Sequence, residues 1–159
     1  MDGRNLSEHA LEFASSLGAS YAEVRFVREK TEGYSMRNGA VLSAGRQERE
    51  GLGIRVLVGG SLGFCSIDDL TKQSLESSLV STVRTAKAIK RRDPILMSDE
   101  EVCQDSWKTG VKRPFGAIPQ EDKVTFLADL DRSVASLPGK IPLRSLYLKL
   151  VEWDKHLVT

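Results

Sequence analysis

Cysteine is scarce in this chain of 159 residues: Cys65 and Cys103 are the only two. Two widely spaced thiols build neither a disulfide framework nor a cysteine-ligated zinc cluster. Histidine is as thin, with His9 and His156 near opposite chain ends, so an imidazole-based metal site has little to draw on. Aromatic residues make up 6%, and no apolar run approaches the ~20 residues that a membrane span needs. A surplus of one charge is missing too. The 23 Lys+Arg against 22 Asp+Glu leave a net charge of +1, which removes the usual electrostatic argument for nucleic acid, counterion release by a basic surface. Met1-Asp2-Gly3-Arg4-Asn5 leads into an amphipathic segment and not into the apolar core of a signal peptide. We therefore expect a reduced, soluble, cytoplasmic protein with no membrane and no nucleic-acid partner.

What is present is a foldable chain. Hydrophobic residues are 40% and charged ones 28%, enough at this length for one domain with a sizeable core. Leu6, Ala10, Phe13, Ala14 and Leu17 recur at helical spacing, and Gly18 suits the position just past the helix end. His9 beside that stripe reads as a boundary residue. From Ser20 the period switches to two. One strand covers Tyr21 to Arg28, a second about Glu32 to Arg37, and Asn38-Gly39 is a strong hairpin signal leading into a third, polar strand through Arg46 to Glu50. Leu52–Val58 and Ser61–Ile67 read as a further hairpin around Gly59-Gly60. That register aligns Val58 with Ser61, Val56 with Gly63, Ile54 with Cys65 and Leu52 with Ile67. Cys65 then faces the core as a small hydrophobe.

Thr71 is placed to cap a second helix carrying Leu75, Leu79, Val83 and Ala86, with Lys90-Arg91-Arg92 suiting the negative end of its dipole. Asp93-Pro94 stops it. Residues 93–119 read as an irregular connector. A third helix follows over about 120–136, with Val124, Leu127, Leu130 or Asp131, Val134 and Leu137 on one stripe, and then a strand pair, 143–151 and 155–159, joined through Trp153-Asp154. The expectation is an α+β fold: an antiparallel meander of about five strands plus a C-terminal strand pair, with three helices against the sheet. It is read as one domain over 1–159, with a helix–meander–helix core at 5–92 and the helix and strand pair at 120–159.

Reactive constellations are missing. The sequence has no His-Glu-x-x-His, no Cys-x-x-Cys, no phosphate-binding Gly-x-x-x-x-Gly-Lys-Ser/Thr and no Gly-x-Ser-x-Gly elbow. Gly51-Leu52-Gly53 precedes a strand and does not join strand to helix, so it is no dinucleotide loop. Asp68 and Asp69 fit a helix entrance better than acid–base work. The residues yield no catalytic, cofactor-binding or metal-binding assignment.

Three segments in order are distinctive: Tyr21-Ala-Glu-Val-Arg-Phe-Val-Arg28, Met36-Arg-Asn-Gly39, and Gly51-Leu-Gly-Ile-Arg-Val-Leu-Val-Gly-Gly-Ser-Leu-Gly-Phe-Cys-Ser-Ile-Asp-Asp-Leu70. Over about residues 5–90 the chain resembles the N-terminal domain of the TldD/PmbA family, also called modulators of DNA gyrase. The resemblance implies a proteolytic system in which TldD-type members are zinc metallopeptidases and PmbA (TldE) members are metal-free partner subunits. Its metal motif, His-Glu-x-x-x-His, belongs to a C-terminal domain that this chain does not include. Zinc is therefore expected outside this chain, and the chain is expected to be inactive alone. The implied role is a non-catalytic module acting on peptides or unfolded proteins, shaping a substrate cavity or a subunit interface in a homo- or heterodimer. Extended peptides add to sheet edges through main-chain hydrogen bonds, which makes the exposed third strand, with Ala44, Gln47 and Arg49, the candidate edge or interface. Its charges equally suit a guard against edge-to-edge aggregation. The competing readings are a stand-alone protein- or peptide-interaction domain, or a metal-free PmbA/TldE-type partner subunit.

Overall fold

The Asn38-Gly39 turn folds as its residue types demand. Asn38 has φ 45° and Gly39 φ 80°, the paired left-handed conformations of a two-residue hairpin loop whose twist matches the flanking strands. In the computed structural model, which describes residues 2–89, 91–98, 102–139 and 141–159, that turn joins two long strands. β1 runs Tyr21–Arg37 and β2 runs Ala40–Val58; β3 is Ser61–Ile67, β4 Gln104–Lys108 and β5 Ser145–Val158. The helices are α1 Gly3–Ser16, α2 Lys72–Ala88 and α3 Gln120–Ala135, with a short 3-10 turn at Phe115–Ala117. Together the strands form one antiparallel sheet in the order β3-β2-β1-β5-β4, an α+β fold as expected.

The partition of that sheet differs from the sequence reading. Segments 21–28 and 32–37 are one strand, as are 40–50 and 52–58. Nothing in Glu29-Lys30-Thr31 or Arg46–Glu50 turns the chain, and cross-strand ion pairs replace apolar alternation there. Arg28 reaches Glu50 at 2.6–2.7 Å and Lys30 lies 3.7 Å from Glu48. The supposed C-terminal strand pair is likewise one strand, because Trp153-Asp154 contains no breaker. Its partner comes instead from the connector: Gln104 pairs with Val158, Ser106 with His156 and Lys108 with Asp154. Residues 93–119 are thus not wholly irregular. β4 escaped notice because all five of its residues are exposed and leave no burial pattern.

Two compact units divide the chain. The first comprises residues 1–28, 49–108 and 153–159. Its core joins Leu6, Ala10 and Ala14 of α1 and Leu75, Leu79 and Val83 of α2 to Val24, Phe26, Leu52, Ile54, Val56, Ile67 and Val158. The β2–β3 register is the expected one, Leu52↔Ile67 through Val58↔Ser61. Thr71 caps α2, its hydroxyl accepting from the Ser74 N–H at 3.2 Å. Gly63 is required by close approach: a Cβ there would lie 2.7 Å from Thr82 Cγ2 and 3.3 Å from the Thr82 carbonyl oxygen.

The second unit comprises residues 29–48 and 109–152. Tyr34, Met36 and Leu127 form its buried centre, with Val124, Ala128, Leu146 and Leu148 around them. The inner face of α3 takes the Asp131 alternative of the stripe read from spacing and adds Lys123. Lys123, Leu127 and Asp131 are buried, whereas Leu130 and Leu137 are exposed. Lys123 and Asp131 face inward because each finds an oppositely charged partner there, Glu32 and Arg144. No helix among the described residues is long and apolar enough to cross a membrane.

Candidate functional site

The polar middle of β2 presents a backbone edge. β3 pairs only with Leu52–Val58, so β2 from Ala40 to Gly51 has β1 on one side and no described strand on the other. Residues 40–50 are exposed throughout, including Ala44, Gln47 and Arg49. Ala44 and Gln47 belong to the second unit and Arg49 to the first. Alternation puts Ala44 on the opposite strand face from Gln47 and Arg49. What the three share is an exposed position on a strand along which alternate residues turn their main-chain N–H and C=O to the open side.

The second unit holds the densest polar network. Lys123 Nζ donates to Glu32 Oε2 and, at 2.9 Å, to the Phe115 carbonyl oxygen. Both side chains are about 95% buried or more. Tyr34 O–H donates to the same Glu32 oxygen at 3.1 Å, and Lys123 lies 5.9 Å from the centre of the Tyr34 ring. Burial and the Glu32 carboxylate push the Tyr34 phenol above its ordinary value. Arg46 comes within 4.0 Å of the other Glu32 oxygen, so the β2 edge strand is tied to this buried carboxylate. A second pair flanks the hairpin turn. Arg144 grips Asp131 through two guanidinium nitrogens at 2.9 and 3.1 Å, which holds that carboxyl below the ordinary carboxylate range. Spacing alone did not reveal Glu32–Lys123 or Asp131–Arg144 as pairs, because the partners lie 91 and 13 residues apart. Asp131 was visible only as an odd member of an apolar stripe.

In the first unit a groove of about 240 Å³ is lined by Arg25, Cys103, Asp105, Trp107, Lys155 and His156, among others. Lys155 stands 4.6 Å from the Trp153 ring and 5.4 Å from the Trp107 ring. Ser106 Oγ lies 2.8 Å from His156 Nδ1, while the buried His156 Nε2 has no hydrogen-bond partner among the described residues. A serine hydrolase needs a carboxylate on the second ring nitrogen, so this pair is not a triad. Beside it, Asp154 is drawn two ways. Burial pushes its carboxyl up, but hydrogen bonds from Lys108 and Arg4 outweigh that and hold it low.

The other singled-out residues have ordinary surroundings. His9 Nε2 lies 2.9 Å from Glu76 Oε1. Cys65 is half-buried, its thiol pushed up by burial, and Cys103 is exposed. Asp69 accepts from the Thr71 hydroxyl at 3.0 Å and so supports the cap of α2. Arg91 donates to the Asp93 carbonyl oxygen; Lys90 lies outside the described residues. No three His, Cys, Asp or Glu side chains converge in a way that would hold a metal ion among the described residues.

Helices pack on the sheet in each unit and β2 keeps an edge with no described outer strand, which defines an α+β module. Residues 22–90 match the domain described as PmbA/TldA metallopeptidase domain 1. No curated protein sequence matches the chain. Among solved structures it resembles a proposed modulator of DNA gyrase from Bacteroides thetaiotaomicron VPI-5482, with TM-score 0.71 and 15% identity over 97% of this chain and 35% of that one. It also resembles TldE from Thermococcus kodakarensis, with TM-score 0.68 and 12% identity over 95% of this chain and 34% of the other. A third likeness is to a proposed modulator of a DNA gyrase from Thermotoga maritima MSB8, with TM-score 0.66 and 16% identity over 98% and 34%. Residues 22–90 are thus similar to the first domain of the PmbA/TldD family, and the chain shares the fold of these solved structures. It spans about a third of the length of the solved structures it resembles.

Proposed function

We propose that this chain is the non-catalytic N-terminal module of a TldD/PmbA-type metallopeptidase and serves the cleavage of peptides or unfolded proteins. Its contribution is a sheet edge facing the substrate cavity or a partner subunit of the same family, in a homo- or heterodimer. Zinc and the hydrolytic groups belong to polypeptide outside these residues. The observation that supports this reading is the open edge of β2: a stretch from Ala40 to Gly51 with no outer strand among the described residues, in a domain matched to a metallopeptidase family.

An extended peptide has no required sequence for such a dock, because the bonds are to main chain and side-chain pockets only tune them. Hydrogen exchange read by mass spectrometry tests this. With an unstructured polypeptide in excess, backbone amides within 40–50 should gain protection while the β3 amides do not change. Unaltered exchange over 40–50 at saturating peptide would refute edge binding. The charged pairs Lys30–Glu48 and Arg28–Glu50 would then stand as devices that keep the edge from aggregating.

A further inference from the structure

The geometry points to Asn38 as a latent deamidation site, held unreacted by the contacts that fix its turn and released when they open. Asn-Gly is chemically the most reactive asparagine context, since glycine puts no side chain in the way of ring closure. The Gly39 amide nitrogen loses its proton to solvent base and attacks Asn38 Cγ. A C–N bond forms, the Cγ–Nδ2 bond breaks, and ammonia leaves after taking a proton from water. The resulting succinimide adds one water at either carbonyl and opens to an aspartyl residue or its isoaspartyl isomer. Water enters and ammonia departs, and no cofactor or oxidant is needed.

Every group in that first step is engaged. The Asn38 carboxamide is bound at both ends, Oδ1 accepting from the Arg144 N–H at 2.8 Å and Nδ2 donating to the Pro142 carbonyl oxygen at 3.2 Å. Its backbone N–H donates to the Arg144 carbonyl oxygen at 3.0 Å. These bonds hold the carboxamide against Pro142 and Arg144 and restrain the side-chain motion that attack requires. The nucleophile is restrained as well: the Gly39 N–H donates to the Asp131 carboxylate. A negative charge beside an N–H opposes formation of the anionic nitrogen that attacks. Arg144 anchors both restraints, since it grips Asp131 and its own main chain binds Asn38. Asn38 is solvent-exposed, so water and base reach it, and the clasp alone decides the rate. Reaction also prevents reclosure, because a carboxylate oxygen in the place of Nδ2 would face the Pro142 carbonyl oxygen with no hydrogen to share.

The test is peptide mapping by mass spectrometry, resolving intact Asn38 from its aspartyl and isoaspartyl products over time at mildly alkaline pH. A synthetic peptide covering residues 34–43 supplies the unrestrained rate. The folded chain should react at least about tenfold more slowly, the ratio that about 1.4 kcal/mol of local opening free energy gives. Arg144→Gln, shown to be folded by circular dichroism, should move the rate toward that of the peptide, while Ser106→Ala should not. A folded wild-type chain that deamidates at the peptide rate overturns the inference whatever the variants do. So does a folded Arg144→Gln chain with an unchanged rate.

Discussion

Glu32 and Lys123 pose the sharpest question at the scale of single residues, because an ion pair buried this deeply is costly unless every partner is present. Tyr34 and the Phe115 carbonyl supply the remaining bonds. Removing one charge strands the other, which costs about 3–5 kcal/mol. Lys123→Ala should therefore lower the stability of the second unit by that amount in urea unfolding. Replacing both, as Glu32→Leu with Lys123→Met, should be neutral or stabilising by about 1–4 kcal/mol. A double variant as unstable as the single one would show that the pair does more than satisfy itself.

The Asp131 and Asp154 carboxyls give a pH prediction. Both are held below their ordinary value in the folded chain, Asp131 by its bonds to Arg144, and Asp154 because bonds from Lys108 and Arg4 outweigh burial. A depressed carboxyl contributes stability that is complete above the unfolded-state pKa, about 3.9, and is lost as pH falls through the folded value. The urea midpoint should hold above about pH 5 and drop below about pH 4. Asp131→Asn should flatten part of that slope.

At the scale of elements, sequence patterning served where burial alternates and failed where charge does the work. The β2–β3 register was legible because four apolar residues of β2 alternate toward α1 and α2, and Gly59-Gly60 fixes the loop. The Asn38-Gly39 turn and the Thr71 cap were legible for the same local reason. The continuity of β1 and β2 was not. Their polar middles are held by pairs such as Arg28–Glu50, which a period-two hydrophobic pattern cannot register. β4, wholly exposed, left no pattern at all. Of the candidate site, the exposed edge could be read from Arg46–Glu50, whereas the ion pairs of α3 depend on long-range contacts.

Gly63 tests the packing of α2 on β3. Gly63→Ala should cost about 1–3 kcal/mol through overpacking against Thr82. Thr82→Ser, which removes the Cγ2 that the new methyl would strike but keeps the hydroxyl bond to the Ser78 carbonyl oxygen, should recover part of that loss. Equal thermal midpoints for wild type and Gly63→Ala would show the approach to be looser than these distances.

At the scale of the whole molecule, residues 22–90 match the family's first domain and the fold is that of its solved structures; that its zinc chemistry lies outside these residues is the central proposal. Two histidines lie near opposite ends of the sequence, and no described cluster has the donors for zinc. Zinc analysis of the purified chain after equilibration with the metal, run alongside cleavage of an unfolded polypeptide, is the most direct measurement. The account predicts less than stoichiometric zinc and no turnover. One zinc per chain with peptide cleavage would contradict it.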